Sequence, residues 1–236
     1  MWSGPRNLST ALMRSWGNRS DTEVMDEPLY AHYLATTGVD HPVAQEVIAA
    51  GPVDLEAAVA ACVRPPLAPP ATVSYQKHMA HHLLPAMDLG WIEPGVNLLM
   101  VRHPRRVIAS YARVRQAPTL EDLGLPQQVA LQNRFGPLPV FDADRFLADP
   151  ESALVKMCRC AGVPFDSKML KWRAGPRVSD GPWSAHWYGS VEASTGFAPA
   201  PSDDPGSVAV PPALEQLASE ATVIYHQLLS SDGVLD

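Results

Sequence analysis

Asn97-Leu98-Leu99-Met100-Val101-Arg102-His103-Pro104-Arg105-Arg106-Val107-Ile108-Ala109-Ser110-Tyr111 reads as a strand passing directly into a helix. Asn97 to Val101 is an apolar run of the kind buried on both faces of a parallel sheet. Pro104 suits a first helical turn, and Val107, Ile108, Tyr111 and Val114 then form one stripe, leaving Arg106, Ser110 and Arg113 on another face. The same alternation recurs upstream. Thr22 to Met25 is a short strand running into Asp26, Glu27 and Pro28, where proline discourages continuation of the sheet, and Ala71 to Tyr75 is another; each is followed by a helical pattern. Leu138 to Phe141 adds a weaker strand, and a helix spans about Pro150 to Cys160, ending before Gly162 and Pro164. Strands alternating with helices predict an α/β fold: a three-layer sandwich with a central parallel sheet, right-handed crossovers, and ligands beyond the carboxyl ends of the strands.

The chain has 236 residues, of which 18% are charged and 46% hydrophobic, enough to bury one sizeable core and to exclude a disordered or collagen-like chain. A single domain over 1–236 is expected. Proline, at 24 residues, is about double the usual roughly 5% and marks rigid loops. The segment from Gly175 to Gly206 is too long for a connector; Trp183, Trp187, Tyr188 and Phe197 favour a lid, placed at 171–206. A last helix over 212–229 is expected to pack Leu214, Leu217, Ala221 and Ile224 on the core. The net charge of −7 argues against nucleic-acid binding. Yet five arginines (Arg102, Arg105, Arg106, Arg113, Arg115) fall in one short window, the composition of a local anion site. Three cysteines cannot build a disulfide framework or a four-thiolate zinc site. With no apolar run of membrane-spanning length and no hydrophobic signal core, a cytoplasmic protein without membrane association is expected.

Gly4-Pro5-Arg6-Asn7-Leu8-Ser9-Thr10 is a turn leading into a helix whose apolar face carries Leu8, Ala11, Leu12 and Trp16. Free N–H groups and the positive dipole end of a helix start favour phosphate, and Arg6 adds charge. An ATP or GTP loop would need Gly and Lys where Ser9 and Thr10 stand. Arg102 at a strand end and Ser110 in the next helix can converge on a second phosphate. Taken singly, each motif also reads as an ordinary surface feature, a Ser/Thr-rich helix start or a basic helix face.

Together the two motifs resemble the PAPS-dependent sulfotransferase family, of P-loop architecture. In that family a Pro-Lys/Arg-Ser-Gly-Thr-Thr/Ser loop grips the 5′-phosphosulfate of 3′-phosphoadenosine 5′-phosphosulfate (PAPS), and an Arg with a Ser eight residues later grips its 3′-phosphate. Pro5, Arg6, Asn7, Leu8, Ser9 and Thr10 are similar to the first, and Arg102 with Ser110 to the second. The resemblance covers residues 1 to about 190. It implies sulfuryl transfer from PAPS, without a metal, to a hydroxyl or amine of a small-molecule acceptor. It further implies Glu27 of Asp26-Glu27-Pro28 as base, and Arg6 and Lys77 compensating charge. Arg173 and Gly175, followed by Asp180-Gly181-Pro182-Trp183, are a loose version of the family's late cofactor loop.

There are departures. The family's loop has glycine where Leu8 stands, and a buried strand ahead of the loop is missing here, so the first strand is expected to be truncated, either by a start placed downstream of the true one or by a sheet lacking a strand. The family's Lys-Thr-His has a counterpart only in Lys77-His78-Met79, so His78 or His82 approaches the acceptor instead. His78 and His82, four apart, would also share one helix face and a metal, which leaves a histidine-based metal hydrolase as one alternative. A non-catalytic nucleotide-binding module is the other. Tyr30, His32 and Tyr33 are candidate acceptor contacts, whereas Trp2 and Trp16 are expected in the core.

Overall fold

The computed structural model describes residues 1–63, 67–113 and 117–231. Val114 and Arg115 of the basic window lie outside them. The chain runs β1 (Trp2–Ser3), α1 (Ser9–Trp16), β2 (Thr22–Asp26), α2 (Tyr30–Thr37), α3 (Ala44–Ala50), α4 (Leu55–Val63) and β3 (Val73–Met79). It continues through β4 (Leu99–Val101), α5 (Pro104–Tyr111), α6 (Leu125–Phe135), β5 (Val140–Asp142), α7 (Ala143–Ala148) and α8 (Pro150–Cys160). Two single-turn helices, α9 (Ser184–Trp187) and α10 (Gly189–Glu192), precede the terminal α11 (Glu215–Ser230). The strands form one sheet in the order β2-β3-β1-β4-β5, with every pairing parallel.

Successive strand residues point to opposite faces, and the packing follows that alternation. Met100 and Phe141 join Leu12, Met13, Trp16, Tyr30, Leu154 and Met157 in the layer of α1, α2 and α8. Leu99, Val101 and Val140 join Val107, Ile108, Leu131, Ala218 and Leu228 in the layer of α5, α6 and α11. The expected three-layer α/β sandwich is therefore present. Trp2 and Trp16 are core residues, 1% and 2% exposed.

Two sequence expectations change. The first strand is present: Trp2-Ser3 lies between β3 and β4, pairing Trp2 with His78 and with Leu99. Second, β3 continues to Met79 where a helix was expected, because it is paired on both sides: the His78 N–H donates to Met1 O and the Glu27 N–H to Lys77 O, both at 2.9 Å. Only a 3₁₀ turn, Ala80–His82, follows. His78 and His82 accordingly share no helix face, and the metal pair inferred from their spacing is not formed; among the described residues no group of three His, Cys, Asp or Glu could hold a metal ion. The terminal helix α11 packs as expected: Ala221 is buried with Ala218, Tyr225 and Leu228, and Leu214, Leu217 and Ile224 lie partly buried against the same core. Small alanines admit close approach there, and the Tyr225 hydroxyl reaches Asp142 Oδ2 at 2.8 Å. Among the described residues no helix is long and apolar enough to cross a membrane.

Candidate active site

The carboxyl ends of β1, β2, β3 and β4 open into one cavity of about 270 Å³. Its floor is the loop after β1. Gly4 lies so close to the backbone that a Cβ would meet Leu123 O at 2.2 Å, so no side chain fits. Arg6 takes a left-handed φ of 53°. Asn7 pins the loop, its Nδ2 donating to Met100 O at 3.1 Å while its Oδ1 accepts the Leu8 N–H at 3.0 Å. Leu8 itself has φ −88° and ψ 1°, a conformation any residue adopts, so the fold requires no glycine there. Helix α1 starts immediately after, without a side-chain cap, and its first N–H groups have no intrahelical acceptor.

Above that loop the predicted anion residues converge. Arg6 Nε donates to Ser110 Oγ at 3.0 Å, and Arg102 Nη1 donates to Arg6 O at 3.3 Å. Pro5, Arg6, Asn7, Leu8, Ser9, Thr10, Arg102 and Ser110 all border the cavity. Burial, then repulsion from Arg102 and Arg113, pulls the Arg6 pKa below the usual arginine value. Cations crowded this way around a hydroxyl and free helix N–H groups fit a polyanionic ligand, whose charge relieves the repulsion. Arg106 does not border the cavity and is held by Asp144 at 2.7 Å and by Asp203, while Arg102, which does border it, also reaches Asp144 at 3.3 Å. Arg105 is tied to Glu215.

On the other side of the cavity β2 and β3 deliver a buried charge cluster. Lys77 Nζ donates to Asp26 Oδ1 at 2.9 Å, to Tyr188 OH at 2.6 Å and to Glu27 Oε1. Lys77 is 1% exposed. Burial alone would lower its pKa, but Asp26, Glu27 and Tyr188 outweigh that and hold the ammonium well above the ordinary lysine value. Glu27 has a left-handed φ of 43°, which turns its carboxylate toward the cavity. Its pKa is raised, first by burial and then by Asp26, with Lys77 opposing. His82 Nε2 stands 4.0 Å from Glu27 Oε2, and its ring stacks on Tyr30 at 4.7 Å. Burial, then the neighbouring His81, His41 and Lys77, pulls the His82 pKa well below the ordinary histidine value.

Not every predicted residue comes to this site. His78 lies on the far side of β3, stacked on Trp2 at 4.2 Å and hydrogen-bonded to Gln76 Oε1, and does not border the cavity. Of the candidate acceptor contacts Tyr30 borders it, whereas His32 is bonded to Val53 O and Tyr33 packs on His81 and His82. Arg173 and Gly175 are also outside it; Arg173 is exposed and Gly175, at φ 102°, turns the chain.

The segment that follows reaches the cavity, which Trp187, Tyr188, Ser190 and Val191 help to line. It is latched to α1 by a bidentate pair, Arg14 Nη1 and Nη2 to Asp180 Oδ1 and Oδ2 at 2.5 and 2.7 Å. Sequence reading missed Asp26 as a Lys77 partner, the Arg14–Asp180 latch and the place of His41 on the rim. The latch partners are 166 positions apart, and no local pattern marks them.

Residues 1–222 match the family described as Sulfotransferase domain. The chain belongs to that family. Two curated relatives from Arabidopsis thaliana, branched-chain-amino-acid aminotransferase-like proteins 1 and 2, are 37% and 35% identical over 202 and 200 residues. The alignments cover 83% of this sulfotransferase-family chain but only 36% and 35% of those proteins, so the chain spans about a third of their length. Two solved structures share the fold: a sulfotransferase domain from the curacin biosynthetic pathway and one from the Synechococcus PCC 7002 olefin synthase. Both have a TM-score of 0.57, at 17% and 18% identity, and cover 97% and 95% of this chain and 95% and 92% of theirs.

Proposed function

We propose that this chain transfers a sulfuryl group from PAPS to a hydroxyl or amine of a small-molecule acceptor, with Glu27 as general base. The observation that carries the reading is the meeting, in one cavity, of an arginine-rich anion cradle and a largely buried carboxylate of raised pKa. Arg6 and the N–H groups at the start of α1 hold the 5′-phosphosulfate end, and Arg102 with Ser110 holds the 3′-phosphate.

Catalysis rests on in-line positioning and on compensating the charge that grows on the bridging oxygen as the sulfur–oxygen bond breaks. Arg6, which lines the cavity, would compensate that charge. Glu27, on the opposite wall, accepts the proton of the attacking hydroxyl, and burial favours its uptake. Lys77, bonded to Glu27, opposes the rise in the carboxyl pKa without cancelling it.

The test is Glu27→Gln assayed with radiolabelled PAPS and an acceptor that the wild type sulfates. Loss of transfer with donor affinity retained supports the assignment; full turnover refutes it.

A further inference from the structure

We propose that Tyr188 is a positioning residue for this reaction: with Asp26 it takes up two of the three Lys77 N–H donors, so that the third is shared between Glu27 and the group in transfer. The proposal rests on the sulfuryl-transfer reading above. An ammonium has three donors and no acceptor. Here all three are spent, on Asp26, Tyr188 and Glu27.

Tyr188 is equally committed. Its hydroxyl donates to the Asp26 carboxylate, at 2.7 and 2.8 Å from the two oxygens, and accepts from Lys77 and from Trp183 Nε1 at 3.0 Å. It is 3% exposed, and burial holds the phenol protonated. Of the three Lys77 contacts, only the one to Glu27 ends on a group whose charge changes in the reaction.

When Glu27 takes the acceptor's proton its negative charge is lost and its hold on Lys77 weakens. In the same step the acceptor oxygen forms a bond to sulfur, the bridging sulfur–oxygen bond breaks, and that electron pair leaves with adenosine 3′,5′-bisphosphate. The freed Lys77 N–H then meets the sulfuryl oxygens, while Tyr188 and Asp26 keep the ammonium in place. Tyr188 comes from the segment latched by Arg14 and Asp180, so that segment supplies part of the charge cluster as well as lining the cavity.

The groups facing Glu27 are Asp26 on β2, Lys77 on β3, His82 in the turn after it, Tyr30 on α2 and Tyr188 between α9 and α10. Removing the Tyr188 hydroxyl leaves the Asp26 charge less satisfied. That draws Lys77 toward Asp26 and exposes Glu27 to more repulsion, so both effects favour protonated Glu27.

The test is Tyr188→Phe, which keeps the ring. The four lysines are Lys77, Lys156, Lys168 and Lys171, and the last three are exposed, so nitrogen-15 lysine labelling gives one slowly exchanging ammonium signal, that of Lys77. The variant is expected to lose that signal, to lower kcat by about ten-fold or more with bisphosphate affinity within about two-fold, and to move the acid limb of the rate profile to higher pH. Unchanged kcat and acid limb, with or without the signal, overturn the proposal. A wild type that turns over no acceptor defeats the sulfuryl-transfer reading itself and takes the proposal with it.

Discussion

Asp180→Ala is the substitution whose cost the structure fixes most narrowly. The Arg14 and Asp180 side chains are 2% and 3% exposed and joined by two parallel hydrogen bonds. Asp180 Oδ2 also accepts the Arg177 N–H at 2.7 Å, closing the turn that enters α9. Truncating Asp180 leaves a buried guanidinium without its counter-charge, a loss of about 3–5 kcal/mol. For a chain of this size that is a fall in Tm of roughly 6–20 °C, at about 2–4 °C per kcal/mol. Local opening limits the cost: if residues 176–192 detach, water reaches Arg14 and the loss cannot exceed the free energy of that opening. Urea denaturation measures the total, and hydrogen exchange of 176–192 measures the local share. Pairing the change with Arg14→Met, which removes the orphaned charge, is expected to recover much of the loss. A single variant within about 0.5 kcal/mol of wild type, with unchanged exchange in 176–192, would refute the latch.

Gly4→Ala puts a Cβ 2.2 Å from Leu123 O, so it is expected to cost about 1–3 kcal/mol in thermal unfolding and to displace the Arg6 loop, with a matching loss of bisphosphate binding in calorimetry. Arg102→Ala is expected to weaken donor binding by about 1.5–3 kcal/mol; equal affinity for ligands with and without the 3′-phosphate would refute that role. The rate is expected to rise with pH through the raised Glu27 pKa, placing the acid limb above the ordinary carboxylate range near about 4.3. Stability runs the other way, because the fold favours neutral Glu27: its contribution is full below the ordinary carboxylate value and is lost as pH climbs through the raised one, a decline that Glu27→Gln should flatten in denaturation measured across pH.

The sequence was most legible where local chemistry and fold agree. The apolar run through Val101, followed by Pro104, marks the β4–α5 unit because burial on both faces and an N-terminal proline leave plain signals. Arg102 and Ser110 were readable for the same reason, since one strand end and one helical face carry both. The end of β3 was not: Lys77-His78-Met79 has no strand signature and is extended only by pairing with β1 and β2. Leu8 looked like a defect in the loop, yet the left-handed residue is Arg6, and φ cannot be read from residue type when a non-glycine holds it. The charge cluster was half legible. Glu27 and Lys77 stand at the ends of recognisable strands, but Tyr188 reaches them across 111 positions, through packing of Trp183 and the Asp180 latch.

The most direct test is a thermal-shift titration with adenosine 3′,5′-bisphosphate against 5′-AMP, ADP and ATP with magnesium. A ligand at 100 times its Kd adds about 2.7 kcal/mol, a rise of roughly 5–11 °C for a chain of this size. A magnesium-independent shift confined to the bisphosphate is the predicted result. No shift, or an equal shift with 5′-AMP, would contradict a donor site built on Arg6, Arg102 and Ser110.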